Sequence, residues 1–123
     1  MNRAINPPEL PQPSGFSHAV KAGNTVYLAG QIGQGETLAD QFDGAAGNLL
    51  AALRGAGGAP EDLVSVQVFV TDVAEYRASL KALGAAWRKH FGGRYPAMGL
   101  FGVAELFDPG ARVELMGIAV LPE

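Results

Sequence analysis

The sequence predicts an α+β fold, a mixed sheet covered by two helices on one face only. Three observations carry this: five short β-prone runs, two longer segments with apolar residues at helical spacing, and tight Gly/Asn or Pro/Gly punctuation between them. At 123 residues the chain has the size of one domain, 1–123, and would bury about two-thirds of the surface that its unfolded form exposes.

Ser17 to Val20 and Thr25 to Ala29 are the first two strands. Lys21-Ala22-Gly23-Asn24 between them supplies Gly and Asn, which tolerate positive φ, so the pair reads as a hairpin. Gly30-Gln31-Ile32-Gly33-Gln34-Gly35 follows without the lysine or hydroxyl of a phosphate cradle and without a GxGxxG pattern. It reads as a loop with unusual backbone angles. Thr37 and Asp40 have the spacing of a helix cap, and Phe42, Ala45, Leu49, Ala52 and Leu53 then recur at helical intervals, which predicts a helix over Leu38 to Arg54.

Leu63 to Val70 is a strand with Val64, Val66, Val68 and Val70 on one face and Ser65, Gln67 and Phe69 on the other. Asp72 and Glu75 cap a second helix whose apolar stripe is Tyr76, Leu80, Leu83 and Trp87 and which ends near Gly92-Gly93. Ala97 to Val103 and Arg112 to Val120 complete the order ββαβαββ, with Asp108-Pro109-Gly110 in the turn between them. Met98, Leu100 and the valine-rich strand offer more apolar surface than two helices can hide, so self-association is expected.

Composition excludes several functions. The absence of cysteine removes disulfides, thiolate nucleophiles and zinc-thiolate sites. His18 and His90 have no carboxylates at ligand spacing, so no metal site is expected, and Ser14 and Ser17 form no Ser-His-Asp grouping. Twelve acidic against nine basic side chains, net −3, argue against a nucleic-acid partner. Arg77, Lys81, Arg88 and Lys89 near one side of the second helix read as a solvated face rather than a phosphate site. No run of about 18 apolar residues and no leader pattern occurs, so no membrane partner and a cytoplasmic location are expected.

Gly15-Phe16, Ala29-Gly30-Gln31-Ile32, Val70-Thr71-Asp72, Tyr95-Pro96-Ala97 and Val113-Glu114 together resemble the signature of the Rid superfamily, the reactive-intermediate deaminases, also known as L-PSP endoribonucleases. The resemblance runs from Pro13 to Val120 and implies a chorismate-mutase-like fold, a homotrimer with three intersubunit clefts, and a small-molecule substrate handled without a cofactor. In deaminating members an arginine after the Pro-Ala step binds a substrate carboxylate, a glutamate on the last strand orients water, and a tyrosine and a serine complete the site. Matched residue by residue, these positions are Met98, Glu114, Phe16 and Ala29, so one of the four polar side chains remains. Asn48 also fits the family, in a structural role.

The resemblance therefore implies Glu114 as the catalytic group, with Phe16, Ala29, Gly30, Met98 and Leu100 lining the substrate cleft. A methionine thioether cannot replace the two charge-assisted hydrogen bonds of a guanidinium, each about 1.5–3 kcal/mol, so 2-aminoacrylate-type chemistry should be slow here. Arg94 and Arg112 are candidate substitutes, with ordinary surface roles as the alternative. Apolar neighbours should raise the Glu114 pKa, as a general acid or base near neutral pH requires. Two readings stand: hydrolysis of an imine, enamine or amide-like metabolite, and a non-catalytic binding or chaperone-like trimer in which Met98, Phe16 and Leu100 make an apolar pocket and Glu114 bonds interface amides.

Overall fold

The computed structural model describes residues 1–123. Six strands, β1 (Arg3–Ile5), β2 (Ala19–Ala22), β3 (Thr25–Gln31), β4 (Leu63–Val70), β5 (Ala97–Gly102) and β6 (Val113–Val120), form one sheet in the order β1-β2-β3-β6-β4-β5. Three helices, α1 (Leu38–Gly55), α2 (Val73–Ala78) and α3 (Leu80–Phe91), accompany them. All pairings are antiparallel except β4 with β5. The mixed α+β architecture agrees with the sequence expectation. No helix is long and apolar enough to cross a membrane.

The first hairpin is tighter than expected. Ala22 pairs with Thr25, leaving Gly23-Asn24 as a two-residue turn, and Gly23 takes φ +62°, which favours glycine. Thr37 caps α1 by accepting a hydrogen bond from the Asp40 amide at 3.0 Å, as its spacing predicts. Leu38, Phe42, Ala45, Leu49, Ala52 and Leu53 of α1 are buried with Val26, Leu28, Val66, Val68, Val113 and Leu115 of the sheet in one core cluster.

Four features differ from the sequence reading. The strand β1 lacks any alternating pattern and exists through its pairing with β2, Arg3 opposite Lys21 and Ile5 opposite Ala19. The second helix is two helices: the Ser79 hydroxyl donates to the Glu75 carbonyl at 2.8 Å and its amide to the Tyr76 carbonyl, which breaks the helical ladder there. With the break, the buried stripe becomes Leu83, Trp87 and Phe91, and Leu80 is exposed. In β4 a register shift against β6 between Leu63 and Ser65 turns Leu63 inward and leaves Val64 exposed, while Val66, Val68 and Val70 remain buried.

The last two strands are not neighbours. The helical connection between β4 and β5 is a crossover, which delivers β5 parallel to β4 at the sheet edge, and β6 inserts between β3 and β4. This register settles which face each β5 residue uses. Met98 pairs with buried Val66 and Leu100 with buried Val68, so both side chains lie on the helix side. The expectation that they supply the open face is corrected: that face carries Tyr27, Phe69, Phe101, Met116 and Val120, with Phe69 and Phe101 stacked at 5.7 Å between centroids.

Candidate functional site

Strand alternation positions Glu114. Val113 and Leu115 are fully buried beneath the helices, so the intervening side chain must leave on the opposite face. Across from it, the pairing of β3 with β6 shifts register between Leu28 and Gln31, freeing the backbone at Ala29 and Gly30 from the regular ladder. The Glu114 carboxylate lies over Gly30 in the space that a Cβ would occupy. Gly30 is not in the left-handed region, so the requirement there is for room and not for an unusual torsion.

A segment before β2 forms the second wall. His18 is buried and holds three separate pieces together. Its Nε2 bonds the Pro11 carbonyl at 2.7 Å, its Nδ1 meets Gln31 Nε2 at 3.0 Å, and its amide donates to Asn6 Oδ1. Because a carbonyl can only accept, Nε2 carries the proton and Nδ1 accepts from Gln31. The Phe16 ring packs edge-on against this imidazole, with centroids 5.3 Å apart. Ala29 donates its amide to the His18 carbonyl at 2.9 Å, which joins the segment to β3 beside Gly30.

Together these elements enclose a cavity of about 510 Å³ lined by Ser14, Phe16, Ala29, Gly30, Ile32, Phe107, Asp108 and Glu114. No Lys, Arg or His lines it. Burial pushes the Glu114 carboxyl above its ordinary value. A partly desolvated carboxylate beside a small hollow can accept a proton from bound water and return it to a leaving group. A larger groove of about 710 Å³ runs between the start of α1 and α2–α3, but its Glu75 is engaged by Arg112 at 2.7 Å.

Four of the six site residues expected from the sequence, Phe16, Ala29, Gly30 and Glu114, come together in this cavity. Met98 and Leu100 do not join them within the chain. Met98 borders a hollow of about 140 Å³ on the helix side with Phe42, Tyr76, Leu83, Trp87 and Tyr95, and Leu100 packs on the core. The pKa of Glu114 is raised as expected, and Phe16 is among its apolar neighbours as expected, but Ala29, Ile32 and Phe107 accompany it in place of Met98 and Leu100.

Neither candidate arginine reaches the cavity lining. Arg94 is exposed and offers its carbonyl to Trp87 Nε1 at 3.1 Å, whereas Arg112 binds Glu75 and the Glu36 carbonyl. Arg77, Lys81, Arg88 and Lys89 are all exposed, and Lys89 pairs with Asp43 at 3.0 Å. His90 also finds Asp43, at 2.6 Å, a partner 47 positions away that spacing could not reveal. These two partners hold the Asp43 carboxyl below its ordinary value. Asn48 donates to the Ile32 carbonyl at 2.9 Å, the structural role expected of it.

Sequence reasoning missed Ser14, Ile32, Phe107 and Asp108 as lining residues. Phe107 carried a usable signal, a lone large aromatic in a polar turn beside Asp108-Pro109-Gly110. Its side chain is fully exposed at the cavity rim.

The model of the family described as Endoribonuclease L-PSP matches residues 9–121, a span that includes both walls of the cavity and the whole of β6. The chain belongs to the L-PSP family. A 2-iminobutanoate/2-iminopropanoate deaminase of Dermatophagoides farinae is 34% identical over 128 residues, 97% of this chain and 96% of that protein. Among solved structures, RidA of an Antarctic Psychrobacter bacterium gives a TM-score of 0.84 at 29% identity, covering 97% of this chain and 99% of that one. A YjgF/YER057c/UK114 family member of Mycobacterium tuberculosis gives 0.82 at 28% identity, covering 98% and 100%. The six-stranded mixed sheet and its helices are thus the L-PSP family architecture.

The position of Gly30 in this L-PSP-family site gives a direct test. Gly30→Ala should displace the Glu114 carboxylate toward water, because the new methyl group would occupy its place. The expected outcome is a fall of the Glu114 pKa toward the ordinary carboxylate value, read by carbon-13 side-chain titration. An unchanged titration would show that the carboxylate does not rest on Gly30.

Proposed function

We propose that the chain is a cofactor-independent, deaminase-like hydrolase acting on the C=N bond of a small imine or enamine tautomer, with Glu114 as general base and acid. The observation that carries this reading is the carboxylate of raised pKa held over Gly30 in a largely apolar cavity. Glu114 removes a proton from water as its oxygen bonds to the imine carbon, giving a carbinolamine. The same carboxyl then protonates nitrogen, and as ammonia departs the regenerated carboxylate takes the hydroxyl proton, which the carbonyl sheds as it forms, and passes it to the departing ammonia. For an iminium ion the reaction balances as one iminium and one water giving one carbonyl compound and one ammonium ion. The deaminase name of the Dermatophagoides relative supports this reaction class.

The proposal includes a homotrimer whose subunits meet over the open sheet face. Tyr27, Phe101, Met116 and Val120 leave an apolar surface there that a second copy would remove from water. Light scattering at micromolar concentration should return three times the chain mass. A monomer would overturn the intersubunit cleft and leave only the single-chain cavity.

Met98 occupies the position where the family resemblance places a carboxylate-binding arginine. Turnover of 2-iminopropanoate should therefore fall at least about tenfold below that of an arginine-bearing relative, about 1.4 kcal/mol of barrier. A coupled ammonia assay with equal rates would defeat this. Met98→Arg should restore little, since Met98 borders the helix-side hollow and Phe16 and Ala29 still bring no hydroxyl to the cavity.

A further inference from the structure

The charge of the cavity lining narrows the substrate class. Its two ionisable side chains, Glu114 and Asp108, are both carboxyls. The one basic group that borders the adjoining hollow with Phe107 and Asp108, Arg112, is already engaged with Glu75 and the Glu36 carbonyl. Asp108 is oriented by accepting the Gly110 amide at 2.8 Å, so its charge stays at the rim beside Phe107. An anionic ligand entering this space would meet negative charge on this chain's wall without a counter-charge from the same chain.

The aromatic groups point the same way. Phe16 is fixed from behind by His18, and Phe107 stands fully exposed at the rim. Two phenyl rings provide apolar contact for a hydrocarbon substituent, and their faces attract a cation. With the Glu114 carboxylate over Gly30 and both rings in the same lining, the site matches a planar cation joined to an apolar group.

We propose that the cavity selects a carboxylate-free iminium cation bearing an aryl or branched-alkyl group, and that Phe107 is a specificity-determining residue for that group. The choice of iminium rests on the hydrolase reading above, whereas the charge selection does not. A bound cation favours the ionised form of Glu114, so in titrations made below the folded pKa, which burial raises, binding should expel a proton.

Three isosteric probes test the selection: benzamidinium, benzamide and benzoate, titrated calorimetrically into the intact protein. Benzamidinium should bind at least tenfold more tightly than benzoate, with proton release seen as a dependence on buffer ionisation enthalpy. Benzoate binding as tightly as benzamidinium would overturn the proposal. Glu114→Gln should remove both the cation preference and the proton release, and retention of both would equally overturn it. Phe107→Ala, at an exposed position that folding does not depend on, should weaken benzamidinium and benzamide alike by about three- to tenfold, the loss of one aromatic contact. No change would remove Phe107 from the proposal's specificity role.

Turnover separates this inference from the hydrolase reading. The imine made in situ by oxidation of 1-phenylethylamine should be hydrolysed to acetophenone and ammonium faster than 2-iminobutanoate is hydrolysed. Faster 2-iminobutanoate hydrolysis would sink the substrate class and leave the hydrolase intact. Selective benzamidinium binding with no acceleration of either imine would uphold charge selection and sink the hydrolase.

Discussion

Glu114→Gln is expected to slow imine hydrolysis by at least about a hundredfold, the lower end for removal of a positioned acid or base. The amide keeps the size of the side chain but can neither accept the proton of water nor return one to nitrogen. In the unmodified protein, activity should rise with pH as the carboxyl ionises, through an apparent pKa above the ordinary carboxylate value, because burial opposes the charge. The variant should lose that limb of the profile as well as the rate.

Stability gives an independent reading of the same group. Since the folded pKa of Glu114 is raised, the folded chain retains this proton more strongly than the unfolded chain. The resulting stabilisation is present below the unfolded value and is lost as pH rises through the folded one. The Gln variant has no such proton, so its melting temperature should gain on that of the unmodified protein across this window. A variant that instead melts much earlier at neutral pH would mark Glu114 as a structural group bonding interface amides, and the non-catalytic binding reading would replace the enzyme.

Phe42→Ala should be the most destabilising single change considered, at about 3–5 kcal/mol by chemical denaturation. Phe42 is almost fully buried between α1 and the sheet, and it already borders the hollow beside Met98 and Trp87. Removing the ring would enlarge that space, where the surrounding α2, α3 and β5 side chains cannot readily collapse. Against a total stability of about 5–15 kcal/mol for a domain, such a loss leaves little margin. A loss below about 1 kcal/mol would mean that the neighbouring helices close over the gap.

The long periodic segments were legible in the sequence because local chemistry and tertiary burial agree there. Thr37 caps where its spacing predicts, and Leu49 and Val68 face inward where their periods place them. Legibility failed where long-range pairing decides. Val64 follows the valine alternation yet is turned outward by a register shift against β6, and Arg3–Ile5 becomes a strand only beside β2. Glu114, Gly30 and Phe16 could be grouped from motifs in advance. Met98 could not be assigned a face, because that depends on β5 pairing parallel to β4, a consequence of the crossover and not of any residue in β5.

The insertion of β6 between β3 and β4 also bears on how the chain reaches its folded state. Until β6 arrives, β3 and β4 present two unpaired edges, and the pairing of Thr25 with Val120 closes a loop that spans most of the sequence. Closure of so long a loop delays the gain from its contacts, which favours slow, late consolidation of the sheet. The strand that performs this closure is the one that bears Glu114. The wall bearing Glu114 and the continuity of the sheet therefore come into being in the same step, so a ribosome-bound chain still lacking β6 would have neither.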